Sequence, residues 1–149
     1  MYVSEETTGT IKKINSSGTV TNASFVTGLS SPYTLKFYAG NLYVAERGSG
    51  NVKKITTTGT VTTYASGLSQ PVGITFDDMG NMYVTEFNAS GNIKKIDTSG
   101  NITTFTSSLS NPFGIMYNSA SNDFYVIEIF NGKVKKINSS GVVTNANFV

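Results

Sequence analysis

The sequence predicts an all-β fold built from a tandem repeat of four short strands. A pair of lysines recurs every 41 residues, beginning at Lys12, Lys53, Lys94 and Lys135, and a period near 40 residues is typical of repeat architectures. Short β-branched and aromatic segments alternate with Gly, Asn, Ser and Pro, as strands alternate with turns. Because no segment keeps a helical period over ten residues, we expect no helix.

Each unit contains four predicted strands, labelled a to d in chain order. In the third unit they cover residues 72–76, 82–86, 93–96 and 102–105. The turn from c to d reads INSSG, ITTTG, IDTSG and INSSG in the four units, as a hairpin that closes on a left-handed glycine requires. Strand b is apolar on both faces, since Met82 and Val84 alternate with Tyr83. We therefore expect each sheet to pack between neighbouring sheets.

Small four-stranded antiparallel sheets that pack face to face around an axis form a β-propeller. Strand a suits the innermost position, because Gly73 and Gly114 leave one side of it almost without side chains. A right-handed solenoid of strands is the alternative, although its coils are usually shorter than this unit. The predicted fold is thus a β-propeller of four-stranded antiparallel blades, with about 3.75 blades of about 41 residues in this chain.

The third unit reads P-x-G-I-x-F, then G-N-x-Y-V-x-E and, later, K-I-D-x-x-G, and the other units match parts of this pattern. This pattern resembles NHL repeats and the propellers grouped with the SMP-30/gluconolactonase and virginiamycin B lyase families. The resemblance covers the whole chain, and its shared residues are mostly those that build a blade. The resemblance implies the propeller fold, and it makes a lactonase or lyase activity one of the candidate functions of this chain.

The chain is out of phase with its own repeat. We predict a single repeat domain over residues 1–149, with units at about 1–26, 27–67, 68–108 and 109–149, the first of which lacks strand a. The chain is then a segment of a longer array, a protomer that closes a ring with a second copy, or a small four-bladed ring. An unpaired strand edge favours completion by another chain or by the rest of a longer one.

Composition narrows the classes of function. Charged residues make up 13% of the chain and the net charge is +2, which gives no clustered basic face for nucleic acid. The absence of His and Cys removes thiolate chemistry and the commonest general base. The sequence contains no run of 18 apolar residues, so we expect no insertion into a membrane. We expect a secreted or cell-surface protein whose signal peptide has been removed or lies outside these residues.

A glutamate ends strand b in every unit, at Glu5, Glu46, Glu86 and Glu128. Carboxylates can bind Ca²⁺ or act as acid and base, yet a catalytic residue is normally needed once and not in every repeat. We therefore interpret the four as a structural carboxylate ring in which each accepts backbone N–H bonds from the adjoining loop. We predict no metal ligand, catalytic residue or cofactor, with Ca²⁺ as the alternative, and we place the Lys pairs on a solvated outer strand.

Binding residues are better sought where the repeats differ. Connections alternate between antiparallel strands, so the b-to-c and d-to-a loops share one rim. We predict a ligand-binding set with Tyr33, Arg47, Phe87, Phe113 and Phe130 on this rim, since aromatic residues and an arginine suit a binding surface. The set also includes Lys36 on strand a, where an amine near the axis could hold a carboxylate or phosphate. The alternatives are that the aromatic side chains cap the blade cores and that Lys36 lies along apolar surface with its ammonium group in water.

Three functions follow from these observations. The first is a non-enzymatic binding or scaffold module that recognises a protein or glycan through this rim. The second is a fragment or relative of a lactonase- or lyase-type propeller enzyme, and the third is a multivalent lectin with one sugar site per blade. The near-uniform repeats and the lack of a unique polar constellation favour the first.

Overall fold

A computed structural model describes residues 1–148, which form 15 strands in four antiparallel sheets and contain no helix. The chain divides into two compact units, Met1–Gln70 and Pro71–Val149, here called unit 1 and unit 2. The all-β fold and the repeated antiparallel sheets confirm the predicted β-propeller class. No helix within residues 1–148 has the length and apolarity needed to cross a membrane.

Unit 1 contains a three-stranded and a four-stranded sheet. The first sheet has the order β1-β2-β3, and its strands are β1 (Tyr2–Glu5), β2 (Thr10–Ile14) and β3 (Val20–Val26). The second sheet has the order β4-β5-β6-β7, and its strands are β4 (Pro32–Tyr38), β5 (Asn41–Glu46), β6 (Asn51–Ile55) and β7 (Val61–Ala65). The first sheet thus has strands b, c and d, whereas the second has all four.

Unit 2 contains two four-stranded sheets. The third sheet consists of β8 (Pro71–Phe76), β9 (Met82–Glu86), β10 (Gly91–Ile96) and β11 (Ile102–Leu109). The fourth consists of β12 (Pro112–Asn118), β13 (Asp123–Glu128), β14 (Lys133–Ile137) and β15 (Val143–Asn145). The predicted strand b of the third unit has the observed bounds. The predicted strand d was too short, because β11 continues past Phe105 and pairs Leu109 with Gly91 across a bulge.

Each unit has a core between its two sheets, as the two-sided apolar strands predict. In unit 1 the buried cluster is Ile11, Val26, Leu29, Leu42, Val44 and Ile55. In unit 2 it is Tyr83, Ile93, Leu109, Phe124, Val126 and Ile137. Phe124 is 1% exposed, and complete burial of a side chain of this size contributes about 1.5–3 kcal/mol to stability. The face-to-face packing of these side chains holds the two sheets of each unit together.

A hydroxyl bridge joins neighbouring sheets close to strand a. In unit 2, Gly73 N–H donates to Thr85 Oγ1 at 2.8 Å, and the Thr85 hydroxyl donates to the Phe113 carbonyl oxygen at 2.8 Å. In unit 1, the Ser4 hydroxyl donates to the Tyr33 carbonyl oxygen at 2.8 Å. Ser4 and Thr85 occupy the same position of strand b, so within each unit a hydroxyl at this position donates to the neighbouring sheet.

The close approach of the strands at this bridge makes Gly73 sensitive to substitution. A Cβ atom there would collide with the Phe113 carbonyl oxygen and lie 2.8 Å from Thr85 Oγ1. We expect Gly73→Ala to lower the free energy of unfolding by about 1–3 kcal/mol, as overpacking does elsewhere. Gly114→Ala is the matched control, because its nearest atom is the end of the Ile127 side chain at 3.3 Å. Urea unfolding of both variants measures the difference, and equal losses would contradict this account.

Candidate functional site

Within each unit, the b-to-c and d-to-a loops lie side by side, as predicted. In unit 1, Arg47 N–H donates to the Ser31 carbonyl oxygen at 3.1 Å, and Leu68 N–H donates to the Gly50 carbonyl oxygen at 3.0 Å. In unit 2, Asn111 N–H donates to the Asn88 carbonyl oxygen at 3.0 Å. These backbone bonds fix the two kinds of loop against each other, so residues from both can contribute to one surface.

The glutamate at the end of strand b is buried beneath these loops in three sheets. Glu46, Glu86 and Glu128 are 3%, 3% and 0% exposed. In the second sheet, Glu46 Oε1 accepts the Ser30 N–H at 3.0 Å from the d-to-a loop, and Oε2 accepts the Ser49 hydroxyl at 2.7 Å from the b-to-c loop. One carboxylate therefore holds both loops of this rim.

The fourth sheet repeats the arrangement with tighter contacts. Glu128 Oε1 accepts the Ser110 N–H at 2.7 Å and lies 2.7 Å from Lys135 Nζ, while Oε2 accepts Asn131 Nδ2–H at 2.8 Å. Burial opposes ionisation of Glu128, but the hydrogen bonds from Lys135, Asn131 and Ser110 prevail and lower its carboxyl pKa below the ordinary value. The carboxylate is therefore ionised, and its oxygens are occupied by donors of the chain.

The other two glutamates use different donors. Glu86 Oε2 accepts Asn92 Nδ2–H at 3.2 Å and lies 3.8 Å from Lys94 Nζ. Glu5, on the sheet without strand a, accepts the hydroxyls of Thr8 and Thr10 and forms an ion pair with Lys12. Residues 1–148 contain no group of three or more acidic, His or Cys side chains that could hold a metal ion. The four carboxylates are thus bound separately, each within its own sheet.

The lysine pairs do not lie on a solvated outer strand, and this prediction was wrong. Strand c is flanked by b and d in every sheet. The first lysine of each pair turns back to the glutamate of its own sheet, in the pairs Lys12–Glu5, Lys53–Glu46, Lys94–Glu86 and Lys135–Glu128. Those lysine side chains are 17% to 33% exposed. The buried carboxylate attracts the ammonium group, and the aliphatic part of lysine can pack on the strand.

In unit 1, the structure brings Tyr33 and Arg47 together with Gln70. Arg47 Nε and Nη2 donate to Gln70 Oε1 at 3.3 and 3.1 Å, and Nη1 donates to the Tyr33 hydroxyl at 3.2 Å. The guanidinium carbon lies 5.6 Å from the centre of the Tyr33 ring. An open cavity of about 380 Å³ next to this group is lined by Glu6, Ser31, Arg47, Gly48 and Gln70. A planar cation, an amide and an aromatic ring thus lie together beside this cavity.

In unit 2, the predicted aromatic residues form one cluster. Phe87 lies 5.9 Å from Phe113 and 5.8 Å from Phe130 between ring centres, with edge-on geometry in both pairs. Phe130 is 74% exposed, and its neighbour Ile129 is 39% exposed. The cluster thus combines rings in mutual contact with a ring that projects into solvent, which is the composition expected at the centre of a protein-binding surface.

The sixth predicted residue lies on strand a, where the sequence placed it, and two rim residues were missed. Lys36 is half-buried in the middle of β4, opposite Tyr43. Sequence reasoning missed Gln70 and Ile129, which contribute to the two groups. Gln70 could have been found from the position before the d-to-a proline. This position differs between units and is occupied by Ser31, Gln70 and Asn111 in turn.

Comparison with known families decides what kind of propeller this is. The model of the virginiamycin B lyase family matches residues 1–148. The chain belongs to the virginiamycin B lyase family. The predicted resemblance to lyase-like propeller repeats is therefore confirmed. No curated protein sequence matches the chain with significance.

Solved structures show the same fold at low sequence identity. A streptogramin B lyase structure has a TM-score of 0.80 at 20% identity, over 99% of this chain and 50% of that one. Virginiamycin B lyase from Staphylococcus aureus has a TM-score of 0.79 at 23% identity, over 99% of this chain and 51% of that one. A chain of a nidogen/laminin complex has a TM-score of 0.83 at 17% identity, over 95% of this chain and 58% of that one. The chain thus spans about half the length of the lyases.

The carboxylate of Glu5 makes stability depend on pH. Chiefly through the hydrogen bond from Lys12, the carboxyl pKa of Glu5 falls from 4.5 to about 2. A pKa lowered by folding stabilises the folded state above the unfolded value, and this contribution is lost as pH falls through the folded value. We expect the melting temperature to drop between pH 4.5 and about 2.

The variant Glu5→Gln isolates this contribution. Its melting temperature should fall less than that of the wild type over the same pH window, because the titrating group has been removed. Calorimetric scans at several pH values measure both curves. If the curves of the variant and the wild type run parallel throughout the window, Glu5 does not contribute in the way described.

Proposed function

We propose that this chain is a non-enzymatic binding module that recognises a protein or glycan through the rim of the b-to-c and d-to-a loops. The observation that carries the proposal is the cluster of Phe87, Phe113 and Phe130, because it brings together residues that the repeats do not share. Phe130 is 74% exposed there. Exposed aromatic residues beside an apolar neighbour favour a ligand that buries them.

The group around Arg47 supports the same proposal in unit 1. Arg47 is held by Gln70 and Tyr33, so its side chain loses little further conformational entropy when a ligand binds. Arginine and tyrosine are the residues that most often dominate binding energy at protein interfaces. A partner with an acidic or amide group beside an apolar one has the chemistry to bind such surfaces.

A lyase activity is the second candidate, and the family match favours it. One solved structure of S. aureus virginiamycin B lyase is a catalytically inactive variant, with alanine in place of one histidine, in complex with quinupristin. The present chain contains no His and spans about half of that protein. We therefore expect quinupristin that is incubated with these residues alone to keep its chromatographic retention time and its fragmentation pattern in tandem mass spectrometry. A change in quinupristin would overturn the binding-module proposal. Uptake of one Ca²⁺ together with opening of a sugar lactone would also overturn it.

A lectin with one sugar site per blade is less well supported. Such a lectin needs the same side chains on the rim of each sheet. The residue directly after the b-strand glutamate is instead Glu6, Arg47, Phe87 or Ile129. The rim residues therefore favour a distinct surface on each unit over identical sites in every blade.

Substitution of Phe130 tests the proposed surface. Ligands for the labelled protein would be selected from a displayed random-peptide library and from a glycan array. We expect Phe130→Ser to weaken binding of the selected ligands by about tenfold or more, as loss of an interface hot spot does, without lowering the melting temperature. Biolayer interferometry would give the affinities.

Met79 provides the matched control. Its side chain is 80% exposed, but it lies in the a-to-b loop and hence not on the proposed rim. Met79→Ser should leave the affinities unchanged. Ligands that tolerate Phe130→Ser but are lost with Met79→Ser would contradict the proposed rim, and failure to select any ligand would count against the function itself.

A further inference from the structure

The b-to-c loops of three sheets share a side-chain donor that is followed directly by a glycine. The donor lies three residues after the b-strand glutamate and donates to its carboxylate, and the three donors are Thr8, Ser49 and Asn131. The glycines that follow are Gly9, Gly50 and Gly132, with φ angles of 63°, 69° and 64°. Glycine adopts such left-handed angles more readily than other residues. The carboxylate thus calls for the donor, and the backbone of the loop calls for the glycine.

In the fourth sheet these two requirements create an Asn-Gly sequence, Asn131-Gly132, which occurs only once in the chain. The side-chain amide of an asparagine can be attacked by the backbone nitrogen of the next residue. A following glycine favours this attack, because it has no Cβ atom to hinder the approach. The hydroxyl groups of Thr8 and Ser49 cannot react in this way. The donor of the fourth sheet is therefore chemically labile, whereas those of the first two sheets are not.

The surroundings of Gly132 leave its backbone nitrogen accessible. In the first two sheets, Gly9 N–H and Gly50 N–H donate to the carbonyl oxygen of the b-strand glutamate at 3.0 and 3.1 Å. Within residues 1–148, Gly132 N–H makes no such backbone hydrogen bond. A Cβ atom at Gly9 or Gly50 would collide with a backbone carbonyl oxygen, whereas one at Gly132 would meet nothing within 4 Å. Asn131 and Gly132 are both exposed, so there is room for a new ring and access for water.

We propose that Asn131 is a site of spontaneous deamidation, and that the product releases the b-to-c loop of the fourth sheet from Glu128. The Gly132 nitrogen attacks Asn131 Cγ and forms a C–N bond, which closes a succinimide ring. The Cγ–Nδ2 bond breaks, and the departing nitrogen takes up the proton of the Gly132 N–H through solvent and leaves as ammonia. One water molecule then opens the ring. Opening at Cγ gives aspartate, and opening at the main-chain carbonyl carbon gives isoaspartate.

Deamidation converts an attractive contact of Glu128 into a repulsive one. Asn131 Nδ2–H donates to Glu128 Oε2 at 2.8 Å, and Glu128 is 0% exposed. The new carboxylate has no proton to donate, and like charges at this distance repel each other. A buried carboxylate that loses a donor is costly, so we expect the loop to move away. Phe130 lies in this loop, and its contact with Phe87 at 5.8 Å between ring centres is then lost. The reaction needs no ligand on the rim.

Incubation of the whole chain at mildly alkaline pH tests the chemical step. Tandem mass spectrometry of proteolytic fragments would locate each change from amide to acid. Asn92 is an internal control, because its amide also donates to a b-strand glutamate, Glu86, but precedes the β-branched Ile93. We expect Asn131 to convert at least about tenfold faster than Asn92. Equal rates at the two sites, or an Asn131 amide that persists throughout, would overturn the proposal.

The variant Asn131→Ser tests the release of the loop. It installs the residue that the second sheet has at Ser49, which keeps a donor to the glutamate and removes the amide. We expect the melting temperature of the wild type to fall during the incubation and that of Asn131→Ser to stay constant. Asn131→Asp, which reproduces one product, should melt below Asn131→Ser without incubation. Deamidated wild type that melts like fresh protein, or an equal fall in Asn131→Ser, would show that the loop is not released.

Discussion

The buried carboxylate at the end of strand b is the interaction on which the rest of this structure depends. A buried carboxylate is costly unless the chain supplies donors to it. In the second and fourth sheets, Glu46 and Glu128 receive a backbone N–H from one loop and a side chain from the other. The lysine of strand c balances their charge. Two loops, a strand end and a neighbouring strand are thereby held at one point.

This arrangement separates the framework of each blade from the side chains on its rim. The residues that follow the four glutamates are Glu6, Arg47, Phe87 and Ile129. In the second and fourth sheets the glutamate binds the loop that follows it, so the side chains of that loop can vary without loss of the loop structure. The repeats therefore present different side chains from the same scaffold, as loops on a rigid sheet commonly do. Arg47 in unit 1 and the phenylalanine cluster in unit 2 are examples of this variation in rim side chains.

The sequence was sufficient for the fold because the fold depends on local patterns. The spacing of glycines and lysines predicts the repeat, and the two-sided apolar strand b predicts stacked sheets. The alternation of connections likewise predicts that the b-to-c and d-to-a loops meet. Each inference needs residues that are close in the chain, or a simple rule of antiparallel topology.

The site was less accessible to sequence reasoning because it depends on contacts between distant residues. Arg47 and Gln70 are 23 residues apart, and they meet where two loops from different connections cross. The pairing of lysine with glutamate was missed because charged residues on a strand normally indicate a solvated face. The bulge between Gly91 and Ile93 also changed the length of β11 in a way that alternation alone does not indicate.

Hydrogen exchange at the Ser110 amide is the most direct test of the central role of the buried glutamate. In the wild type this amide should exchange slowly, because it donates to Glu128 Oε1 at 2.7 Å. In Glu128→Met its exchange should accelerate by about tenfold or more, while the Ser30 amide, which donates to Glu46, keeps its wild-type rate. An unchanged rate at Ser110 in the variant would show that the rim is held by other contacts and would contradict the account.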